Sequence, residues 1–401
     1  MAGGDGSNET AAEQWSSLPN DLLSTLYARL ASPDDRVRFA AVCTSWRALA
    51  LTDAGSPRPV LPWLMLDPRG GDKTKRVYIP EDGIVLQAVQ IPSEAADGRF
   101  IAGYEGGWVV SSDVPLGIVN LFSGIEEVYS SEQRRIIRAQ QSTAGNQLVM
   151  QKVIFSAAPT SGGCILAAIT DKHGLALSRA GCPEGRWTTQ EFHAEERLTD
   201  IAFCKGELYG LMRYRDCLVK FEIGVNEHGA PVLTAVHRLC IANSPNSCDL
   251  YTFRDTDNYA RYIVELCGKL VMAVRHNWPA FTLLQLVHAD GGRLMWANIV
   301  SLGDYALFLG WTCSKLVHVP EDSRGGVKKN HIYYTRHRCL RRDDKIPSNA
   351  KVLPTSSIDG GGRVYYKQDN SVYGGGGRIP SVEYYVKGGV CPPIWIFPPD
   401  M

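Results

Sequence analysis

After its first sixty or so residues, the sequence consists of short apolar runs separated by turns that contain glycine, proline or charged residues. Residues 200–211 and 262–274 share one pattern: a strand-like run, a two-residue turn with glycine, and a second run. The turns are predicted at Lys205-Gly206 and Gly268-Lys269. Residues 163–178 form a similar pair of runs. Such pairs are typical of β-hairpins, so the sequence predicts an all-β domain with a weak internal repeat.

About three hundred residues of hairpins without helical spacers need an architecture that protects the edges of their sheets. A β-propeller protects them by radial repetition of four-stranded blades. At roughly 40 to 50 residues per blade, residues 60–401 would form six or seven blades. A large sandwich or a pair of barrels is the alternative architecture for the same pattern.

The chain is predicted to have three parts and to be an α+β multidomain protein. Residues 1–13 are small and polar, which predicts a disordered leader. Residues 14–55 predict a small helical domain, because apolar residues recur there at three- and four-residue steps. Several prolines follow and end the helical pattern, so the propeller-like domain is predicted to begin near residue 60.

The helical domain should contain at least two helix starts. Pro19-Asn20 can open the first helix, since proline is tolerated in the first turn and asparagine can cap it. Residues 32–35, Ser-Pro-Asp-Asp, have the composition of a second start. One face of the first helix should be lined by four leucines: Leu22, Leu23, Leu26 and Leu30.

Three short motifs follow one another in this domain. They are Leu-Pro-x-Asp-Leu-Leu at 18–23, Arg-x-Arg-Phe at 36–39 and Val-Cys-x-x-Trp-Arg at 42–47. Their order and spacing over about forty residues closely resemble the F-box motif. The resemblance implies a Skp-type adaptor as partner and, through it, the cullin and RING subunits of a ubiquitin ligase.

The resemblance also implies residue roles. Phe39, Val42, Cys43 and Trp46 would pack the helices together. In the alternative reading, the leucines pack against the C-terminal domain, as most amphipathic stripes in globular proteins do. The residues expected at the adaptor are Leu18, Pro19, Leu22, Leu23, Leu26, Trp46 and Arg47.

The rest of the chain resembles the C-terminal domain of unknown function, the KIB type, of many plant F-box proteins. Residues 106–110, 119–124, 302–310 and 330–335 carry the match. The chain departs from the family at Leu121, where a proline is usual, and in a glycine-rich insertion at residues 356–378. Gly303-Asp304 is also predicted as a turn before a buried strand, and Asn120 as a residue that satisfies backbone groups at a strand end.

Composition limits the partners and the compartment. The 42 basic and 42 acidic residues cancel, so no global field favours nucleic acid or an anionic membrane. Eleven scattered cysteines predict free thiols in a reducing compartment. The sequence shows neither a secretory signal nor an apolar run long enough to cross a bilayer, which predicts a cytosolic or nuclear protein.

No hydrolase or zinc motif stands out, so no catalytic residue, metal or cofactor is expected. His331, His337 and Cys339 have irregular spacing and lack an evident fourth ligand. The glycines at 374–377 lack the following Lys-Ser/Thr of a phosphate loop.

The sequence therefore predicts a non-catalytic, substrate-recognition subunit of an SCF-type E3 ubiquitin ligase that binds an unidentified target protein. One alternative is a non-ligase interaction protein with a propeller. Another is an enzyme with carboxylates in the propeller channel, for which the fold alone supplies no site.

Overall fold

The computed structural model divides the chain into two compact units, residues 1–60 with 399–401 and residues 61–398. The predicted leader, the predicted helix start at 32–35 and the glycines at 374–377 lie outside the described residues. The structure describes residues 15, 18–29, 39, 42–53, 60–66, 74–90, 99–111, 116–122, 137–139, 150–170, 174–180, 187–193, 196–212, 218–242, 260–275, 281–321, 326–336, 339–353, 363–369, 379–388 and 392–399.

The N-terminal unit contains two described helices, α1 (Asn20–Arg29) and α2 (Thr44–Asp53). Helix α1 begins as predicted after Pro19, whose carbonyl oxygen accepts a hydrogen bond from the Leu23 amide at 3.0 Å. A small core joins the helices, in which the Phe39 ring lies 4.3 Å from that of Trp46. None of the described helices is long and apolar enough to cross a bilayer. The buried members of the core are Leu23, Phe39, Leu49 and Ala50.

The second unit consists of β-strands joined by turns and loops, with a short 3-10 turn at Asp290–Gly292. The strands are β1 (Trp63–Met65), β2 (Thr74–Ile79), β3 (Ile84–Gln90), β4 (Phe100–Tyr104), β5 (Trp108–Ser111), β6 (Leu116–Asn120), β7 (Ile137–Ala139), β8 (Met150–Phe155), β9 (Ile165–Thr170), β10 (Leu175–Arg179), β11 (Thr188–Gln190), β12 (Leu198–Cys204), β13 (Glu207–Met212), β14 (Leu218–Val225), β15 (Pro231–Arg238), β16 (Ile241–Ala242), β17 (Ala260–Leu266), β18 (Lys269–Arg275), β19 (Phe281–His288), β20 (Leu294–Ile299), β21 (Tyr305–Leu309), β22 (Ser314–His318), β23 (His331–Thr335), β24 (Lys351–Val352), β25 (Arg363–Asp369), β26 (Ser381–Lys387) and β27 (Ile394–Ile396).

Five sheets contain the four-stranded antiparallel order of a propeller blade. Blade 1 combines β27 with β1–β3, blade 2 is β4–β7, blade 3 is β8–β11 and blade 4 is β12–β15. Blade 5 is β17–β20, extended by β16, which pairs parallel to β20. The inner strands pack on one another in the series β27, β4, β8, β12, β17 and β22. This radial order is that of a propeller and not that of a sandwich or a pair of barrels.

The sixth sheet is irregular and has the order β22-β21-β23-β26-β25-β24. Strands β21 and β23 pair in parallel, as do β23 and β26. The described residues therefore form five regular blades, and the predicted number of six or seven is wrong. Division of the chain length by a blade length overestimates the number of blades, because strands β21–β26 form one mixed sheet instead of further four-stranded repeats.

The predicted hairpins are present, with one turn displaced by a residue. Lys205 and Gly206 both have positive φ, 52° and 78°, as a tight hairpin turn requires. In the matching hairpin of blade 5, the positive-φ residues are Cys267 and Gly268 instead of Gly268 and Lys269. Lys269 is already in the ladder, opposite Leu266. The hairpin predicted within 163–178 is formed by β9 and β10.

An ion pair joins three inner strands inside the propeller. Lys152 on β8 and Asp200 on β12 are both buried and in direct contact. Asp200 also accepts backbone hydrogen bonds from Ile201 and from Ile263 on β17, each at 2.9 Å. Burial raises the pKa of the Asp200 carboxyl, and the Lys152 ammonium counters part of this effect. This pair was not predicted from the sequence, where its signal is one charged residue within each of two apolar strands.

Candidate docking surface on the helical unit

Large apolar side chains are exposed on the helical unit. Four of the nine large exposed hydrophobic side chains within the described ranges belong to this unit, although it supplies only a small part of those ranges. Because single exposed hydrophobic residues are ordinary, the concentration of four in so small a unit is the informative feature. Their exposed fractions are 60% for Trp15, 52% for Leu22, 41% for Leu26 and 53% for Val42. We call these four residues the apolar surface.

Helix α1 exposes one of two neighbouring leucines and buries the other. Leu22 and Leu26 are four residues apart, so they lie on the same side of the helix, and both are exposed. Leu23 is turned by about 100° from Leu22 and is fully buried in the core with Phe39. Leu23, which was predicted at the adaptor, is therefore a core residue of the unit.

Helix α2 places Trp46 at the margin of the core. Trp46 is half-buried, and its indole Nε1–H donates a hydrogen bond to the Trp15 carbonyl oxygen at 3.1 Å. This bond holds the backbone at Trp15 next to α2, while the Trp15 side chain stays exposed. Arg47, the next residue, is exposed. A tryptophan and an arginine at the edge of an apolar patch are residue types that are enriched in protein interfaces.

The predicted site residues fall into three groups. Pro19, Leu22, Leu26 and Arg47 are exposed, Leu18 and Trp46 are half-buried, and Leu23 is buried. Trp15 was not predicted as a surface residue, and Val42 was predicted to pack the helices together. Periodicity cannot decide such cases, because apolar residues here occupy both sides of each short helix.

Cys43 lies half-buried next to Val42. Its Sγ is 3.0 Å from the Ser45 hydroxyl, and this hydrogen bond lowers the pKa of the thiol. Within the described residues, no group of three or more His, Cys, Asp or Glu side chains is placed to hold a metal ion. His331 instead shares a 2.7 Å hydrogen bond with the Lys329 carbonyl oxygen, and its burial lowers the pKa of the imidazole. His337 lies outside the described residues.

Two propeller landmarks have the structural roles that the sequence predicts. Asn120 donates from Nδ2 to the Gly106 carbonyl at 2.9 Å and accepts from the Phe122 amide at 2.9 Å. Gly303 has φ of 60° in a turn before the buried strand β21. The Asp304 carboxylate pairs with Lys329 at 2.9 Å, which lowers the pKa of that carboxyl. These residues shape turns and strand ends.

Two family models match the chain. Residues 15–54 match the F-box-like model, and residues 76–373 match the model described as KIB1-4 beta-propeller. No curated protein matches significantly.

Forty solved chains also match. One belongs to the yeast heterotrimeric Nup82-Nup159-Nup116 nucleoporin complex, with 10% identity, a TM-score of 0.35 and coverage of 78% of this chain and 84% of that one. Another is a putative 6-phosphogluconolactonase from Bacteroides fragilis, with 12% identity, a TM-score of 0.35 and coverage of 77% and 78%. A third is the WD40 domain of SCAP from fission yeast, with 11% identity, a TM-score of 0.29 and coverage of 84% and 85%.

Proposed function

Because the chain belongs to the KIB1-4 beta-propeller family and carries an F-box-like segment, we propose that it is the substrate-recognition subunit of an SCF-type E3 ubiquitin ligase. In this proposal the helical unit binds a Skp-type adaptor, which connects it to the cullin and RING subunits. The propeller binds the protein that is to be ubiquitinated.

The observation that carries the proposal is the apolar surface of the helical unit. Leu22 and Leu26 have the i, i+4 spacing with which amphipathic helices anchor themselves in the groove of a partner. Complete burial of one leucine side chain is worth about 1.5–3 kcal/mol, so two leucines together supply a useful part of a stable interface. A docking function explains why they remain exposed while Leu23 fills the core.

A receptor of this kind needs no catalytic residue of its own. It holds a target lysine near a ubiquitin-conjugating enzyme, and tethering makes the transfer effectively intramolecular. The proposed protein is accordingly a non-enzymatic subunit that acts in the cytoplasm or the nucleus, without nucleic acid, membrane or cofactor.

The test measures binding of the full chain to a purified Skp-type adaptor by biolayer interferometry. The wild type should bind, and the double variant Leu22→Asp, Leu26→Asp should bind at least about 100-fold more weakly, since each change places a charge in an apolar contact. The matched control is Val225→Asp with Val300→Asp, which adds the same charges at exposed valines of the propeller. Absence of wild-type binding, or equal weakening by both double variants, contradicts the proposal.

A further inference from the structure

A surface groove lies where blades 3 and 4 meet. Its volume is about 590 Å³, within the range of about 300–1,000 Å³ that is usual for ligand sites. Residues 190–193 and Glu196 form one wall, and the ends of β13 and β15 form the other. The residues that line it are Gln190, Glu191, Phe192, His193, Glu196, Met212, Val236 and Arg238.

The floor of the groove is apolar and is supported by the core. The Phe192 ring lies 6.1 Å from the ring of Phe221, which is buried in blade 4. Met212 is buried beneath the groove, while Val236 keeps 38% of its side chain exposed. Val236 sits opposite Phe221 in the β14–β15 ladder, so the two side chains share one face of the sheet. This floor can receive a large apolar side chain.

The rim of the groove is predominantly acidic. It carries the carboxylates of Glu191 and Glu196 against one guanidinium, that of Arg238. Arg238 and Glu196 form an ion pair across the groove. The Arg238 side chain is 55% exposed, and exposed ion pairs of this kind contribute little to stability, so a ligand can displace this pair. The charge balance favours a basic ligand over a phosphorylated one.

The walls favour a peptide over a compact small molecule. Strands β11 and β15 are both the last strands of their sheets, so the groove is bounded by two sheet edges. Edge strands offer backbone donors and acceptors with which an extended peptide can pair.

We propose that this groove recognises the target protein through a short extended segment in which a large apolar side chain has lysine or arginine beside it. The apolar side chain contacts Phe192 and Val236, and the basic residue pairs with Glu191 or Glu196. The proposal rests on the proposed function in that it assigns the target-binding surface of the propeller.

Fluorescence polarisation of labelled seven-residue peptides, with the full chain in the absence of any adaptor, tests the groove. The probe has the sequence Gly-Ser-Lys-Phe-Lys-Ser-Gly, and the comparison peptides replace both lysines with glutamate or with phosphoserine, or the phenylalanine with alanine. The probe should bind at least about tenfold more tightly than each comparison peptide. Val236→Asp should weaken its binding at least about tenfold, and Glu191→Lys should shift the preference towards the glutamate peptide.

Val225→Asp is the matched control, because it places the same charge on an exposed valine of β14 away from the lining residues. Thermal unfolding of each variant verifies that the propeller remains folded. Equal affinity for all peptides, a preference for the phosphoserine peptide, or no binding at millimolar concentration overturns the groove assignment. Adaptor binding is measured separately on the same protein, so a failed groove and a failed ligase assignment give different results.

Discussion

At the scale of single residues, the adjacent Leu22 and Leu23 of α1 should differ in their contribution to stability, because Leu22 is exposed and Leu23 is buried. Leu23→Ala should destabilise the helical unit by about 2–5 kcal/mol, because it leaves a cavity beside Phe39. Leu22→Ala should change its stability by no more than about 0.5 kcal/mol, because the side chain is already half in solvent. Hydrogen exchange of the α1 and α2 amides distinguishes them: protection should fall in Leu23→Ala only. Equal protection in both variants contradicts this assignment.

The buried pair of Lys152 and Asp200 gives a second prediction at this scale. Asp200→Asn should cost about 3–5 kcal/mol, since it leaves the Lys152 ammonium buried without an anion. The double variant with Lys152→Met should recover part of that loss. Chemical denaturation followed by tryptophan fluorescence measures the cycle. Glu207→Gln, which removes the exposed partner of Lys220, is the control and should cost less than about 1 kcal/mol.

At the scale of elements, the hairpins could be predicted because a strand pattern and a glycine turn are local signals. The turn lies at Cys267-Gly268, one residue before its predicted position. Either neighbour of Gly268 could be the second turn residue, and the register of the β17–β18 ladder determines which one is. The exposed side of α1 could not be predicted. By residue type alone, either Leu22 or Leu23 could face the core, and only tertiary packing determines that Leu23 does.

The two equivalent turns of blades 4 and 5 lie against each other, which gives a prediction about Gly268. Its φ is +73°, and an added Cβ would lie 2.9 Å from the Lys205 Cε of the neighbouring turn. Gly268→Ala should therefore cost at least about 1 kcal/mol. Gly162→Ala is the control, because a Cβ there meets nothing within 4 Å and no positive φ is required. Urea denaturation should show a lower midpoint only for Gly268→Ala.

At the scale of the whole propeller, the two ends of the β-domain meet in one blade. Strand β27 pairs antiparallel with β1, with Trp63 opposite Ile396 and Leu64 opposite Trp395. Trp395 is fully buried, and its indole Nε1–H donates to the Leu309 carbonyl at 3.1 Å. The hairpin pattern in the sequence predicted a fold that protects its sheet edges. The pairing of β27 with β1 could not be predicted, because no short sequence pattern indicates which distant strands pair. The same holds for the mixed sheet of β21–β26, which is why the number of blades was overestimated.

This closure predicts that residues 392–401 are essential for the stability of the propeller. Removal of residues 392–401 would expose the inner edge of β1 and delete the buried Trp395 and Phe397 side chains. Since truncation of one buried aromatic residue to alanine already costs about 3–5 kcal/mol, the loss of two is comparable with the whole stability of a typical domain, about 5–15 kcal/mol. The truncated chain should aggregate in gel filtration and lose its cooperative thermal transition. Removal of residues 1–10 is the control of equal length, and a truncated chain that unfolds like this control would show that β27 does not hold the ring closed.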